Sequence, residues 1–132
     1  MFEAFNNYAD FSGRASRSEF WLFQLLNMFV VLVATALIVT REGGTFVVGV
    51  GILAFWVLIA FVPALSVTVR RFHDHNISGW WAVVLYALGL IPYVGVLANL
   101  GMLCVVVRGG TWGPNNYGPD PVNPWRSGAS LA

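Results

Sequence analysis

Both histidines of the chain lie in one run, Arg70-Arg71-Phe72-His73-Asp74-His75, where two imidazoles flank a carboxylate directly behind two guanidiniums. Imidazole nitrogen and carboxylate oxygen are good ligands for zinc and similar ions, so a metal site is the first chemistry to weigh. Donors this close along a backbone rarely converge on one ion without further ligands, and the neighbouring sequence supplies neither another histidine nor a sulfur. Turn capping and contact with lipid headgroups fit the run better. No motif fixes a serine against a base and an orienting group, so no nucleophilic site is assigned either. The sequence therefore names no catalytic, cofactor-binding or metal-ligating residue, implies no cofactor, and points to a non-enzymatic protein.

The run opens a loop, 70–79, that ends in Ser78-Gly79 and gives way to Trp80-Trp81. Arginines on one side and tryptophans on the other are how a chain is built where headgroups meet hydrocarbon. Long apolar blocks flank the loop. Of 132 residues, 58% are hydrophobic and 10% charged, whereas a soluble domain carries roughly a quarter charged residues. A water-soluble fold of this size could not hide so much apolar surface. Lipid can serve as the solvent if the backbone satisfies itself, in helices or closed barrels. The apolar runs are continuous rather than alternating, which selects helices. A net charge of +1, with seven arginines and no lysine, makes no basic stripe for nucleic acid. Cys104, the single cysteine, lies in an apolar run and reads as a packing residue.

In chain order, residues 1–15 place Phe2, Phe5 and Ala9 on one face of a short helix expected to lie on the membrane surface. The amino end lacks the basic start of a signal peptide. Ser16-Arg17-Ser18-Glu19 fits a capping box, so the first span is placed at 16–40. Gln24, Asn27, Val31 and Thr35 share one of its faces, which is expected to turn toward other helices. Arg41-Glu42-Gly43-Gly44 is the tip of a hairpin, and the second span covers 46–69, with a small-residue seam at Ala60, Ala64 and Thr68 and a kink at Pro63.

The third block, 80–107, has Pro92 near its middle. As one helix it would be about 42 Å long, more than a simple span needs. Two short helices turning back at the proline would each fall below the ~17 residues of an ordinary span. Length favours one long kinked helix. Charge favours the hairpin, because a single crossing leaves Arg108 and Arg126 on the side that positive-inside bias disfavours. The expected architecture is an all-α integral membrane protein, a small bundle of three transmembrane helices with the third long and kinked at Pro92. A short interfacial helix precedes it and an extended tail over 108–132 follows; the alternative is a short hairpin, giving four helices.

Three stretches carry a family resemblance: Phe11-Ser12-Gly13-Arg14-Ala15-Ser16-Arg17-Ser18-Glu19-Phe20-Trp21, then Arg70-Arg71-Phe72-His73-Asp74 with Ser78-Gly79-Trp80-Trp81, and Asn116-Tyr117-Gly118-Pro119-Asp120-Pro121. In this order, over nearly the whole chain, they resemble the bacterial inner-membrane family called domain of unknown function 805. The sequence departs from that family's usual pattern at His75-Asn76-Ile77, where a small residue or glycine and a basic residue are common. The resemblance implies a small multi-pass protein of the bacterial inner membrane and no assigned activity.

Two functional readings follow. In the first, a scaffold, accessory subunit or lipid-headgroup-binding module presents Arg14, Arg17, Glu19, Arg70, Arg71, His73, Asp74, Trp80, Trp81 and Tyr117 to anionic lipid or to a membrane-protein partner. In the second, a homo-oligomer acts as a small transporter or channel component, with Gln24, Asn27 and Asn99 lining a polar path. The amino terminus and the 70–79 loop are expected on the cytoplasmic face. Glu19 or Asp74 is expected to pair with arginines of the other motif, since an unpaired charge at this depth is expensive. If the third block is a hairpin, all three motifs share one surface and a composite binding site becomes the better reading.

Overall fold

A computed structural model describes residues 9–123. Most of the interfacial helix expected over 1–15, including Phe2 and Phe5, lies outside these residues, as does Arg126. Among the described residues four helices follow one another: α1, Arg17–Val39; α2, Gly43–Asp74; α3, Trp80–Gly89; and α4, Val94–Val107. The first two are long and apolar enough to cross a membrane. Their outward surfaces are mostly hydrophobic, with Phe29, Leu32, Leu58 and Phe61 each about two-thirds exposed or more, as lipid-facing positions require.

Helix α1 starts where the capping signal places it, with the Glu19 backbone N–H donating to Ser16 Oγ at 3.2 Å. The reciprocal half of the box is absent: the Glu19 carboxylate accepts from Arg70 instead. A cation at bonding distance draws an anion more strongly than a neutral N–H does. The buried edge of α1 runs through Phe20, Phe23 and Ala34, so the face expected from Gln24, Val31 and Thr35 is rotated away, and Val31 and Thr35 are exposed. Close approach decides this. A Cβ at Gly49 of α2 would lie 2.8 Å from the Ala34 carbonyl oxygen, so the helix backbones meet there. Asn27 remains on the inner side, where Trp56 Nε1 donates to its Oδ1 at 2.6 Å.

Helix α2 has 32 residues, about 48 Å at 1.5 Å per residue, well beyond a hydrocarbon core of ~30 Å. It continues without a break through Pro63 and on through Arg70-Arg71-Phe72-His73-Asp74. The expected loop over 70–79 is therefore only its second half. The helix stops at a Schellman cap: Asn76 takes the left-handed conformation at φ 58°, its N–H donates to the His73 carbonyl, and the Ile77 N–H donates to that of Phe72. Ile77 then packs back against Phe72 and Ala82.

The third apolar block is a hairpin, not one kinked helix. Helices α3 and α4 are joined at residues 90–93, and both open ends lie at the C-terminal end of α2: Gly79 sits against Val69 and His73, and the Val106 carbonyl accepts from Arg71. A Cβ at Gly95 would lie 2.5 Å from the Gly89 carbonyl oxygen. Glycine at that position lets the two helices close immediately after the turn. The length requirement weighed against a hairpin applies only to helices that cross, and these do not have to. Phe20, Phe23, Ala60, Val67 and Val106 form the core that joins α1, α2 and α4.

Candidate functional site

The end of α2 leaves backbone carbonyls without intrahelical partners, and the amino-terminal segment and the tail supply them. Ala15 N–H donates to the Arg70 carbonyl at 3.1 Å, and the Thr111 N–H to that of Asp74 at 2.8 Å. Thr111 Oγ1 donates to the same Asp74 oxygen at 2.9 Å, and Asn115 Nδ2 to the His73 carbonyl at 2.8 Å. Two segments distant in sequence are thus sewn onto one helix terminus.

The side chains of that terminus bind the same segments. Arg14 Nε donates to Asp74 Oδ1 at 2.9 Å, its Nη2 lies 2.7 Å from that oxygen, and its Nη1 and Nη2 each reach a tail carbonyl, of Gly113 and Thr111, at 2.6 Å. Arg71 pairs with the other oxygen, Asp74 Oδ2, and its remaining donors meet the carbonyls of Ala15, Val106 and Arg108. All three side chains are nearly inaccessible to solvent. Burial of two guanidiniums and one carboxylate is tolerable because their bonding positions are filled by charge or by carbonyl oxygen. Beside this knot, Arg70 Nη2 and Glu19 Oε1 pair at 2.7 Å. Both acids thus pair with an arginine of the other motif.

His73 and Tyr117 stack face to face, with ring centroids 3.9 Å apart and planes 4° from parallel. His73 Nδ1 lies 3.1 Å from the Gly13 carbonyl oxygen. That acceptor requires the proton on Nδ1. The imidazole and the carboxylate that invited a metal reading are therefore turned to different partners. His75 lies in the loop beyond the helix, where burial, and then the positive charge of Arg71, hold its pKa below the ordinary 6.5.

The tail closes with a tight turn in which Asn115 and Gly118 exchange backbone hydrogen bonds at 3.0 and 3.2 Å. Asp120 braces it, accepting from the Val122 N–H at 2.9 Å and from the Gly113 N–H at 3.4 Å. Those backbone bonds keep the Asp120 carboxyl below its usual range. Between the tail and the start of α1 lies a cleft of about 390 Å³, lined by Arg14, Arg17, Arg71, Ser16, Ser18 and Thr111 among others, with Asp74 and Asp120 as its two acids. Arg17 makes no ion pair among the described residues, whereas Arg14 and Arg71 are committed to Asp74 and to carbonyls. Trp80 and Trp81 point outward, 75% and 57% exposed, and make no part of the knot.

Sequence reasoning missed Gly110, Thr111, Asn115 and Asp120. A Cβ at Gly110 would overlap the Asp74 carboxylate, so this glycine is required by contact, whereas from sequence Gly109-Gly110 signals only the end of a helix. Thr111 and Asn115 show themselves only once a hairpin returns the tail to α2.

The stretch matched by comparison with known proteins takes in the first two motifs and the start of the third. The family described as a protein of unknown function (DUF805) matches residues 8–119. "Inner membrane protein YhaH" of Escherichia coli strain K12 is 38% identical over 119 residues, which cover 87% of this chain and 89% of that protein. "Inner membrane protein YhaI" of the same strain is 34% identical over 118 residues, covering 87% and 88%. No solved structure matches the chain.

Proposed function

Since this chain belongs to the DUF805 family and is, like its relatives, a membrane protein, we propose that its motif-bearing end is a non-catalytic anion-binding face that holds the headgroup phosphate of an anionic lipid. The observation that carries this reading is the cleft between α1 and the tail, with three arginines against two carboxylates. Arg17 has its charge free, and the Ser16 and Ser18 hydroxyls stand at the same rim. The first turn of a helix adds backbone N–H groups that favour an anion.

Depth agrees with this occupant. Trp21, Trp80, Trp81 and Trp112 are exposed around the same end of the bundle, and exposed indoles collect at headgroup level. Arg14, Arg17, Arg70, Arg71 and Arg108 also lie at this end, while Arg41, beside Glu42, lies at the other. Positive-inside bias makes the motif face cytoplasmic, where a scaffold or accessory role toward a membrane partner would also be exercised.

The test is lipid retention. Protein purified in mild detergent is examined by native mass spectrometry and titrated into nanodiscs with and without phosphatidylglycerol. Retention of anionic lipid by the wild type, lost in Arg17→Ala with the fold intact, supports the reading. Equal retention of zwitterionic lipid, or no effect of Arg17→Ala, overturns it.

A further inference from the structure

The α3–α4 hairpin exposes polar groups at a depth where lipid cannot satisfy them. Its helices have 10 and 14 residues, about 15 and 21 Å; α3 begins at the motif end and α4 returns to it. The connecting turn at 90–93 therefore stops inside a hydrocarbon core of ~30 Å. Its backbone donors close on themselves: the N–H groups of Leu90, Ile91, Val94 and Gly95 reach the carbonyls of Ala87, Leu88, Pro92 and Ile91. Tyr93 holds a positive φ of 66° within this turn, a conformation disfavoured for a residue with a Cβ. Yet Leu90 and Tyr93 are 86% and 91% exposed, and irregular backbone at membrane depth is tolerated only where protein or a water-filled cavity covers it.

Asn99 adds an independent observation. It lies on α4 about 9 Å from Tyr93 along the helix axis, is exposed, and its amide has no hydrogen-bond partner among the described residues. Val96 and Leu103, exposed by 62% and 47%, share its face of the helix. Neither α3 nor α4 carries a charged residue, so the face offers nothing to a partner of complementary charge. An amide, by contrast, is donor and acceptor at once and complements itself.

We propose that α4 packs against α4 of a second copy about a two-fold axis near Asn99, so that the two Asn99 amides bond reciprocally and the exposed turns are covered in the dimer. A second copy brings the same amide to the same depth, and a two-fold axis sets identical residues opposite each other. Interhelical amide bonds of this kind stabilise helix association in membranes. This inference does not depend on the headgroup site at the opposite end of the hairpin.

The experiment uses full-length protein reconstituted in vesicles. Energy transfer between donor- and acceptor-labelled copies is followed as lipid is added, and oxidative crosslinking is read in Cys104→Ala protein carrying Leu103→Cys or, as a control on the far side, Leu58→Cys. The expected result is energy transfer that falls only at high lipid dilution, crosslinking at Leu103→Cys and not at Leu58→Cys, and a dimer weakened about tenfold by Asn99→Leu but kept by Asn99→Gln. Energy transfer no greater than random mixing predicts, equal crosslinking at both positions, or an unchanged dimer in Asn99→Leu would overturn the proposal. If the Asn99 variants fail to fold, the wild-type dilution series still tests the dimer, and crosslinking at Leu103→Cys against Leu58→Cys still tests its α4 face.

Discussion

The imidazole of His73 lies flat on the ring of Tyr117, 3.9 Å between centroids, and this contact couples the last turn of α2 to the tail. Each ring belongs to a different motif of the family. His73 also reaches Gly13, in the remaining motif, so one side chain reads the position of both others. The stack predicts a measurable role for the ring rather than the hydroxyl. Tyr117→Phe should leave thermal stability in detergent unchanged, and Tyr117→Ala should lower it by about 1 kcal/mol and speed proteolysis of the tail. Equal effects of the two variants would show that the phenol oxygen, not the stack, matters.

Asp74 serves two arginines, Arg14 and Arg71. Asp74→Asn leaves both guanidiniums buried against one neutral amide, and a loss of about 3–5 kcal/mol in stability is expected. In a double-mutant cycle, Arg71→Ala and Asp74→Ala together should destabilise less than the sum of the two. Additive losses would mean that the pair does not interact.

How much of this was legible beforehand differs from element to element. The first cap, the α1–α2 turn and the membrane setting follow from local signals: Ser16 before Glu19, Arg41-Glu42-Gly43-Gly44, and unbroken apolar runs. The ion pairs were also within reach, because a charge at membrane depth has to find its opposite. The hairpin was not. Pro92 and Gly95 mark a break equally well in a kinked helix, and the deciding contact, Gly95 against the Gly89 carbonyl, is tertiary. The helical start of the 70–79 loop was hidden because its C-terminal carbonyls are satisfied by Thr111 and Asn115, which no local pattern connects to α2.

Gly110 and Gly109 make a controlled comparison. A Cβ at Gly110 overlaps the Asp74 carboxylate, while one at Gly109 meets nothing within 4 Å. Gly110→Ala should reduce stability by about 2 kcal/mol or more through overpacking, and Gly109→Ala should be close to neutral. Melting temperatures of the two variants in one detergent check this, and equal melting would place the tail elsewhere.

Acid should loosen the motif face. The pKa of His75 is depressed by burial and by Arg71, so the unfolded chain binds its proton more readily than the folded one. Stability is then fully present above the ordinary pKa of 6.5 and declines as pH falls through that value toward the folded pKa. Asp120, also depressed, adds a loss in the same direction, beginning near its ordinary 3.8. Thermal melts between pH 7.5 and pH 5, a window set by the ordinary histidine value of ~6.5, should show the first loss, and His75→Gln should flatten it. An unchanged slope in His75→Gln would assign the effect to another group.

Topology tests the hairpin itself. Two spans carry the chain from Arg17 away from the motif end and back to Asp74, and a hairpin that does not cross leaves the tail where α2 ended. Thr111 and Asn115 bond directly to the last carbonyls of α2, so no arrangement with the tail across the membrane can keep those contacts. Reporters fused at either terminus should therefore be active on the same side, and the expectation from positive-inside bias is that this side is the cytoplasm. A cysteine placed at Asn116 should react with impermeant reagent from the same side as one at Ser12, while one at Glu42 reacts from the other. Labelling of Asn116 from the Glu42 side would restore the single crossing of 80–107 and would separate the motif that contains Tyr117 from the other two.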